Sequence, residues 1–260
     1  MSNYVLECNN LNLIFKNHHA VKDFNLQIEK EKIYGLIGPN GAGKTTVLNL
    51  LTRVYKQNSG DIFLNGKNTK KWDSIKVNKH GIARTFQNIR LFKEMTVLEN
   101  IMVGFHNNQK YSLFDSIFRT PKYFSEEEKI NKRSLELLRI FGIEDKANHL
   151  SKNLSYGTQR KVEILRALST NPSILLLDEP AAGMNSSETM HLFEVINKIK
   201  DEFKISFIII EHNMNFIMKI CDYIYVLNQG ETIAKGKPEE IQNNKEVENA
   251  YLGGQYVENK

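Results

Sequence analysis

The run Gly38-Pro39-Asn40-Gly41-Ala42-Gly43-Lys44-Thr45-Thr46 constrains this chain more than any other segment. It follows an apolar run, Ile33 to Ile37, and precedes a helical stretch, Thr46 to Leu51. A strand, a glycine-rich loop and a helix in that order make a phosphate cradle of the GxxxxGK[ST] type. The glycines let the backbone wrap closely, so that successive N–H groups point at phosphate oxygens. The helix N-terminus adds a partial positive charge. Lys44 would reach the β- and γ-phosphates of the ligand, and Thr45 would offer its hydroxyl to Mg²⁺.

Other apolar runs of strand length recur at Ile174–Leu177, Ile205–Ile210 and Tyr223–Leu227. Short continuous runs of this kind suit strands buried on both faces, as in a parallel sheet between helices. Ser186 to Lys200 reads as a helix, with Met190, Phe193, Ile196 and Ile199 as its apolar face. The expected class is therefore α/β. Near the N-terminus, Phe24–Ile28 and Asp61–Leu64 alternate as strands of a small antiparallel sheet. From about Asn88 to Asn153 the chain is polar, charged and helical in period, and reads as a helical subdomain inserted into the core. Loops are expected there at Asn107–Lys110 and Thr120–Pro121, with a helix start at Ser125-Glu126-Glu127-Glu128. The tail from about Lys237 reads as short helical pieces and a frayed end.

Composition closes off several classes. Cys8 and Cys221 are isolated, which excludes a disulfide framework and a cysteine metal site. The opening Met1-Ser2-Asn3-Tyr4 lacks the basic and apolar regions of a signal peptide. No apolar stretch approaches the roughly 20 residues of a membrane span. The formal charge of +5 is too thin to name a partner.

Two further strand ends carry chemistry. Ile174-Leu175-Leu176-Leu177-Asp178-Glu179-Pro180 delivers two carboxylates from an apolar strand. Asp178 suits Mg²⁺, directly or through water, and Glu179 suits the polarisation of an attacking water. Ile208-Ile209-Ile210-Glu211-His212-Asn213 ends in a polar trio, where His212 is placed to bond a γ-phosphate or that water.

Between these motifs, Leu154-Ser155-Tyr156-Gly157-Thr158-Gln159-Arg160 resembles the LSGGQ signature of ABC ATPases and precedes a helical stretch, Lys161–Leu168. Arg84-Thr85-Phe86-Gln87-Asn88 resembles that family's Q-loop, Ala181-Ala182-Gly183-Met184-Asn185 its D-loop, and His212 its switch histidine. Tyr156 and Asn185 depart from the general pattern but resemble the branch that energises import of branched-chain, hydrophobic amino acids. The segment Arg84–Phe92, Met95–Asn100, the loop from Leu113 to Pro121 and the terminal Ala250–Gly253 point to the same branch.

The resemblance implies a P-loop NTPase (RecA-like) core at 1–87 and 160–236, with the N-terminal antiparallel β-subdomain. It implies a helical subdomain with the signature at 88–159 and a C-terminal tail at 237–260. It implies a head-to-tail dimer with an identical or related cassette, each ATP lying between one phosphate loop and the other subunit's Ser155 and Gly157. Gln87 would ligate Mg²⁺ with Thr45 and Asp178, and Phe15 would stack on adenine beside Val21. Permease subunits would be the membrane partners, an external substrate-binding protein an indirect one, and the site of action the cytoplasmic face of the membrane. Ile89, Leu91, Phe92 and Met95 form an apolar cluster that suits either a short helix of such a partner or the helical subdomain's own core. Thr158 is shorter than the usual glutamine, which removes that side chain's reach. The rival readings are a cassette for another cargo, such as urea or exported lipid, and a soluble ABC ATPase acting on nucleic acid or the ribosome. No nucleic acid is expected as a partner, since no dense Lys/Arg run is present.

Overall fold

The computed structural model describes residues 4–106, 109 and 111–257. Met1–Asn3 and most of the expected loop at Asn107–Lys110 lie outside the described residues. Two sheets form the body. The first is antiparallel, in the order β2-β1-β4-β5, built from β1 (Tyr4–Phe15), β2 (His18–Glu29), β4 (Ser59–Leu64) and β5 (Lys67–Asn68). The second has the order β10-β9-β3-β8-β7-β6. Its strands are β3 (Ile33–Ile37), β6 (Ile82–Arg84), β7 (Ile174–Asp178), β8 (Ser206–Ile210), β9 (Tyr223–Asn228) and β10 (Glu231–Gly236). β9, β3, β8, β7 and β6 are mutually parallel, and β10 returns antiparallel at the edge.

Alternation along each central strand divides the core in two. Tyr34, Leu36, Ile174, Leu176, Ile208, Ile210, Tyr225 and Leu227 face the antiparallel sheet. Ile33, Ile37, Leu175, Leu177, Phe207, Ile209, Ile224 and Val226 face the helices on the other side. All five residues of β3, β7 and β8 are buried, as continuous apolar runs require.

The helices are α1 (Lys44–Leu51), α2 (Ser74–Lys79), α3 (Val97–Phe105), α4 (Leu113–Ile117), α5 (Pro121–Ile140), α6 (Tyr156–Leu168), α7 (Ser186–Phe203), α8 (Met214–Ile220), α9 (Pro238–Gln242) and α10 (Lys245–Val257). The segment between β6 and β7 is helical, as its composition indicates. Several boundaries differ from expectation. α5 starts at Pro121, capped by Thr120 through the Tyr123 N–H, so Ser125 lies inside the helix rather than at its start. Proline at the first helical position and threonine before it are the stronger start signal. Within the expected loop from Leu113 to Pro121 lies α4, closed by a Ser112–Asp115 capping box. The buried face of α7 is Leu192, Val195, Ile196 and Ile199, and Met190 is exposed. Steps of three residues drift around a helix, which puts Met190 and Ile199 on opposite sides; the i, i+3, i+4, i+7 set stays on one face.

The candidate nucleotide site

Because β3, β7 and β8 are parallel neighbours, their C-terminal ends open on one edge of the sheet. Ligand sites gather at such an edge. At the end of β3 the chain turns through Gly38, where φ is 148° and a Cβ would stand 2.0 Å from the Leu227 carbonyl oxygen. At Gly43, φ is 101° and a Cβ would stand 2.7 Å from the Ala20 carbonyl oxygen. Neither position admits a side chain. α1 begins at Lys44 rather than at Thr46, and Gly43 offers no side-chain cap to its first N–H groups. Lys44 Nζ folds back to donate to the carbonyls of Gly38, at 2.7 Å, and Pro39, at 2.9 Å. Burial lowers the Lys44 pKa, and the nearby Glu179 and Asp178 carboxylates oppose that shift.

β7 delivers the two carboxylates to different surroundings. Asp178 is buried and its Oδ2 accepts from Arg84 NH2 at 2.8 Å. Arg84, at the end of β6, also donates to Asn49 Oδ1 on α1 at 2.6 Å. Sequence reasoning gave Arg84 no role; a charged residue ending a three-residue strand carries no local signal of its partner. Glu179 adopts a left-handed backbone, with φ 51°. For a residue with a Cβ that conformation costs about 1–2 kcal/mol, and it is held by the Glu179 N–H to Ile210 carbonyl bond of 2.9 Å. Strain of this kind gathers where a side chain must be aimed. Glu179 Oε1 lies 2.8 Å from His212 Nε2, and Oε2 accepts from Gln87 Nε2 at 3.1 Å. Next to His212, Glu211 is buried and accepts the N–H groups of Ala181 and His212, which fixes the turn after β8.

A cavity of about 430 Å³ lies over the loop. It is lined by Asn40 to Thr46 of the loop, by Phe15, His18 and Ala20 from the antiparallel sheet and its β1–β2 hairpin, and by Gln87, Glu179 and His212. Phe15 is 45% exposed, with Tyr55 edge-on at 5.3 Å. Val21 does not line the cavity. It is fully buried between the sheets, and Ala20 takes the outward position, because neighbouring strand residues point to opposite faces. His18 and Ala20 were missed for the same reason: one register step decides which residues of β2 face the opening.

Gly38 and Pro39 hold Lys44 through their carbonyls, and Asp178 does not line the cavity but pairs with Arg84. Ser155 and Gly157 do not line the cavity either. Ser155 is the N-cap of α6, which begins at Tyr156 rather than Lys161, and its Oγ pairs with Thr158 Oγ1 at 2.9 Å. Thr158 therefore has a local use where a longer side chain is usual. Tyr156 lies against Gly183, where a Cβ would be 3.1 Å from the ring. Asn185 caps α7 in a capping box with Glu188, a task asparagine performs well.

The donor set fits a magnesium nucleotide. The loop offers backbone N–H groups and a lysine for phosphates, while Thr45, Asp178 and Gln87 are hard oxygen donors. Among the described residues no group of three His, Cys, Asp or Glu side chains could hold a metal by itself. A site with few carboxylates is the kind Mg²⁺ occupies together with phosphate oxygens.

Comparison with known proteins agrees with this geometry. The family described as ABC transporter matches residues 21–182, and that described as branched-chain amino acid ATP-binding cassette transporter matches residues 231–257. The high-affinity branched-chain amino acid transport ATP-binding protein LivG of Escherichia coli (strain K12) is 43% identical over 97% of this chain and 99% of its own length. BraF of Pseudomonas aeruginosa, described in the same words, is 41% identical over 97% of this chain and 99% of its own. The crystal structure of an ABC transporter's ATP-binding cassette in its ADP conformation superposes with a TM-score of 0.84 at 29% identity, covering 97% of this chain and 100% of the other. On these matches the chain belongs to the ABC transporter ATP-binding family, in its branched-chain amino acid branch.

Proposed function

We propose that this chain is the ATP-hydrolysing subunit of a branched-chain amino acid importer. ATP hydrolysis coupled to transport is the activity of the family, and full-length similarity to LivG and BraF supports the cargo. The observation that carries the catalytic part is Glu179, bonded to His212 and Gln87 in the lining of the phosphate-loop cavity.

In this reading the N–H groups of residues 40–45 and Lys44 bind the phosphates and stabilise charge on the γ-phosphoryl oxygens. Phe15 stacks on the adenine ring. Thr45 and Gln87 would hold Mg²⁺, with Asp178 reaching it directly or through water, and the ion would neutralise phosphate charge when bound. Glu179 orients the attacking water and takes up its proton, with His212 fixing the carboxylate. Ser155 and Gly157 face the nucleotide of a second cassette, so a closed dimer is the hydrolytic state. The helical segment 88–159 is the unit that moves between open and closed dimers. ATP drives that closure through its greater affinity for the closed state.

The partners are a second cassette, identical or related, and permease subunits at the cytoplasmic face of the membrane. A groove of about 600 Å³ beside Phe86, Arg90, Phe92, Val103 and Arg166 is open to receive a permease segment. Of the expected apolar cluster, Leu91 packs on the main core and Phe92 is 49% exposed at this groove. No described helix is long and apolar enough to cross a membrane, which accords with a peripheral role.

Deleting the chain's gene in its host and measuring uptake of labelled leucine, with and without a plasmid copy, tests the cargo. Loss of uptake restored by the wild type but not by Lys44→Met is expected. Unchanged leucine uptake, with a defect in another solute, would assign the cassette to a different cargo.

A further inference from the structure

One buried side chain ties the signature helix to the loop that carries Gln87. Arg160 lies one turn into α6 and is fully buried. Its NH1 donates to the Phe86 carbonyl at 2.6 Å and its NH2 to the Gln87 carbonyl at 2.7 Å. NH2 also donates to the Tyr156 hydroxyl at 3.2 Å, and NH1 to Glu163 Oε2 at 2.7 Å. Glu163, 2% exposed, turns its other oxygen to the Arg90 N–H at 3.2 Å. The flat guanidinium therefore spans two successive loop carbonyls and is itself held by a carboxylate and a phenol, a geometry lysine does not reproduce.

A buried ion pair adds little stability over apolar side chains of the same volume. Packing alone does not account for Arg160 and Glu163, whose remaining hydrogen bonds go mainly to the segment from Phe86 to Arg90. Beyond that segment the chain of contacts continues: Gln87 Nε2 donates to Glu179, and Glu179 bonds His212. In the other direction it reaches Tyr156, next to Ser155, and through the Tyr156 ring Gly183.

Given the ATPase reading above, we propose that Arg160 is a positioning residue that locks the Gln87 backbone to the signature helix. The Gln87 amide is thereby held within reach of Glu179. The lock also joins the element that reads this subunit's own nucleotide to the element that faces its partner's. Gln87 and Ser155 then move as one body when the helical segment turns, which links the two ATP sites of a dimer through each chain's own Arg160.

Arg160→Lys keeps the charge opposite Glu163 but loses the fork across the two carbonyls. Full-length purified protein with Mg²⁺ and ATP is expected to lose about 10- to 100-fold in kcat, with a much smaller change in KM because the phosphate loop is not touched. In a Gln87→Ala background the same substitution is expected to add no further loss, since both act through one side chain. Without nucleotide, hydrogen exchange is expected to quicken at residues 86–92 and to stay unchanged at residues 38–44. Should Arg160→Lys fail to fold, Tyr156→Phe removes only the partly exposed hydroxyl and is expected to quicken exchange at the same segment by a smaller factor. Wild-type kcat with unchanged exchange would overturn the proposal, and so would an undiminished further loss in the Gln87→Ala background. A wild-type protein without ATPase activity would instead refute the ATPase reading, and the exchange measurement would still decide the role of Arg160.

Discussion

His212 Nε2 stands 2.8 Å from Glu179 Oε1, and the two residues follow the ends of adjacent parallel strands, β8 and β7. With Gln87 on the other oxygen, the carboxylate is fixed from two sides. His212→Ala removes one of them and leaves the phosphate loop intact. Phosphate release is expected to fall about 100-fold, while fluorescent-nucleotide titration gives an affinity close to that of the wild type.

Lys44 behaves differently, because its ammonium now rests on the Gly38 and Pro39 carbonyls and is placed to transfer to phosphate oxygens. A charge-assisted hydrogen bond contributes about 1.5–3 kcal/mol, so Lys44→Met is expected to weaken ATP binding by roughly 10- to 150-fold. The same titration measures it.

Arg84 and Asp178 form an ion pair with side chains only 6% and 4% exposed. Removing one member of a buried pair strands the other charge, at a cost of about 3–5 kcal/mol. Arg84→Met is therefore expected to lower unfolding stability by that amount in urea titrations, and Asp178→Asn in the same protein to restore much of it.

Glu211 supplies a pH signature. Burial raises its carboxyl pKa, against the N–H groups of Ala181, His212 and Asn213 that lower it. The folded chain therefore favours the neutral acid more than the unfolded chain does. The stability this contributes is present below the ordinary carboxylate pKa and lost as pH rises through the raised value. Glu211→Gln does not titrate, so the Tm difference, variant minus wild type, is expected to be larger at about pH 8 than at about pH 4.

The parts of the site that were legible in the sequence are local. The phosphate loop, the Ile174–Glu179 strand end and the Ile208–His212 strand end each carry their meaning in consecutive residues, and parallel pairing puts them on one edge. What depends on register or distant pairing was not legible. Ala20 rather than Val21 faces the opening because of one step in β2. Arg84 and Arg160 find their partners across 94 and 73–74 residues of chain. β6 has only three residues and β10 is polar and partly exposed, so neither presents a hydrophobic run. The α7 face was misread because spacings of three resemble helical spacing over one turn and diverge from it over three.

Glu179→Gln tests the central claim most directly. The amide keeps the shape and can still bond Gln87 or His212, but it cannot take up a proton from water. Single-turnover phosphate release and gel filtration with ATP and Mg²⁺ are the measurements. The expected result is a loss of turnover of about 100-fold or more, with ATP retained and a dimer that persists on the column. Wild-type phosphate release by Glu179→Gln would contradict the assignment of Glu179 and the account built on it.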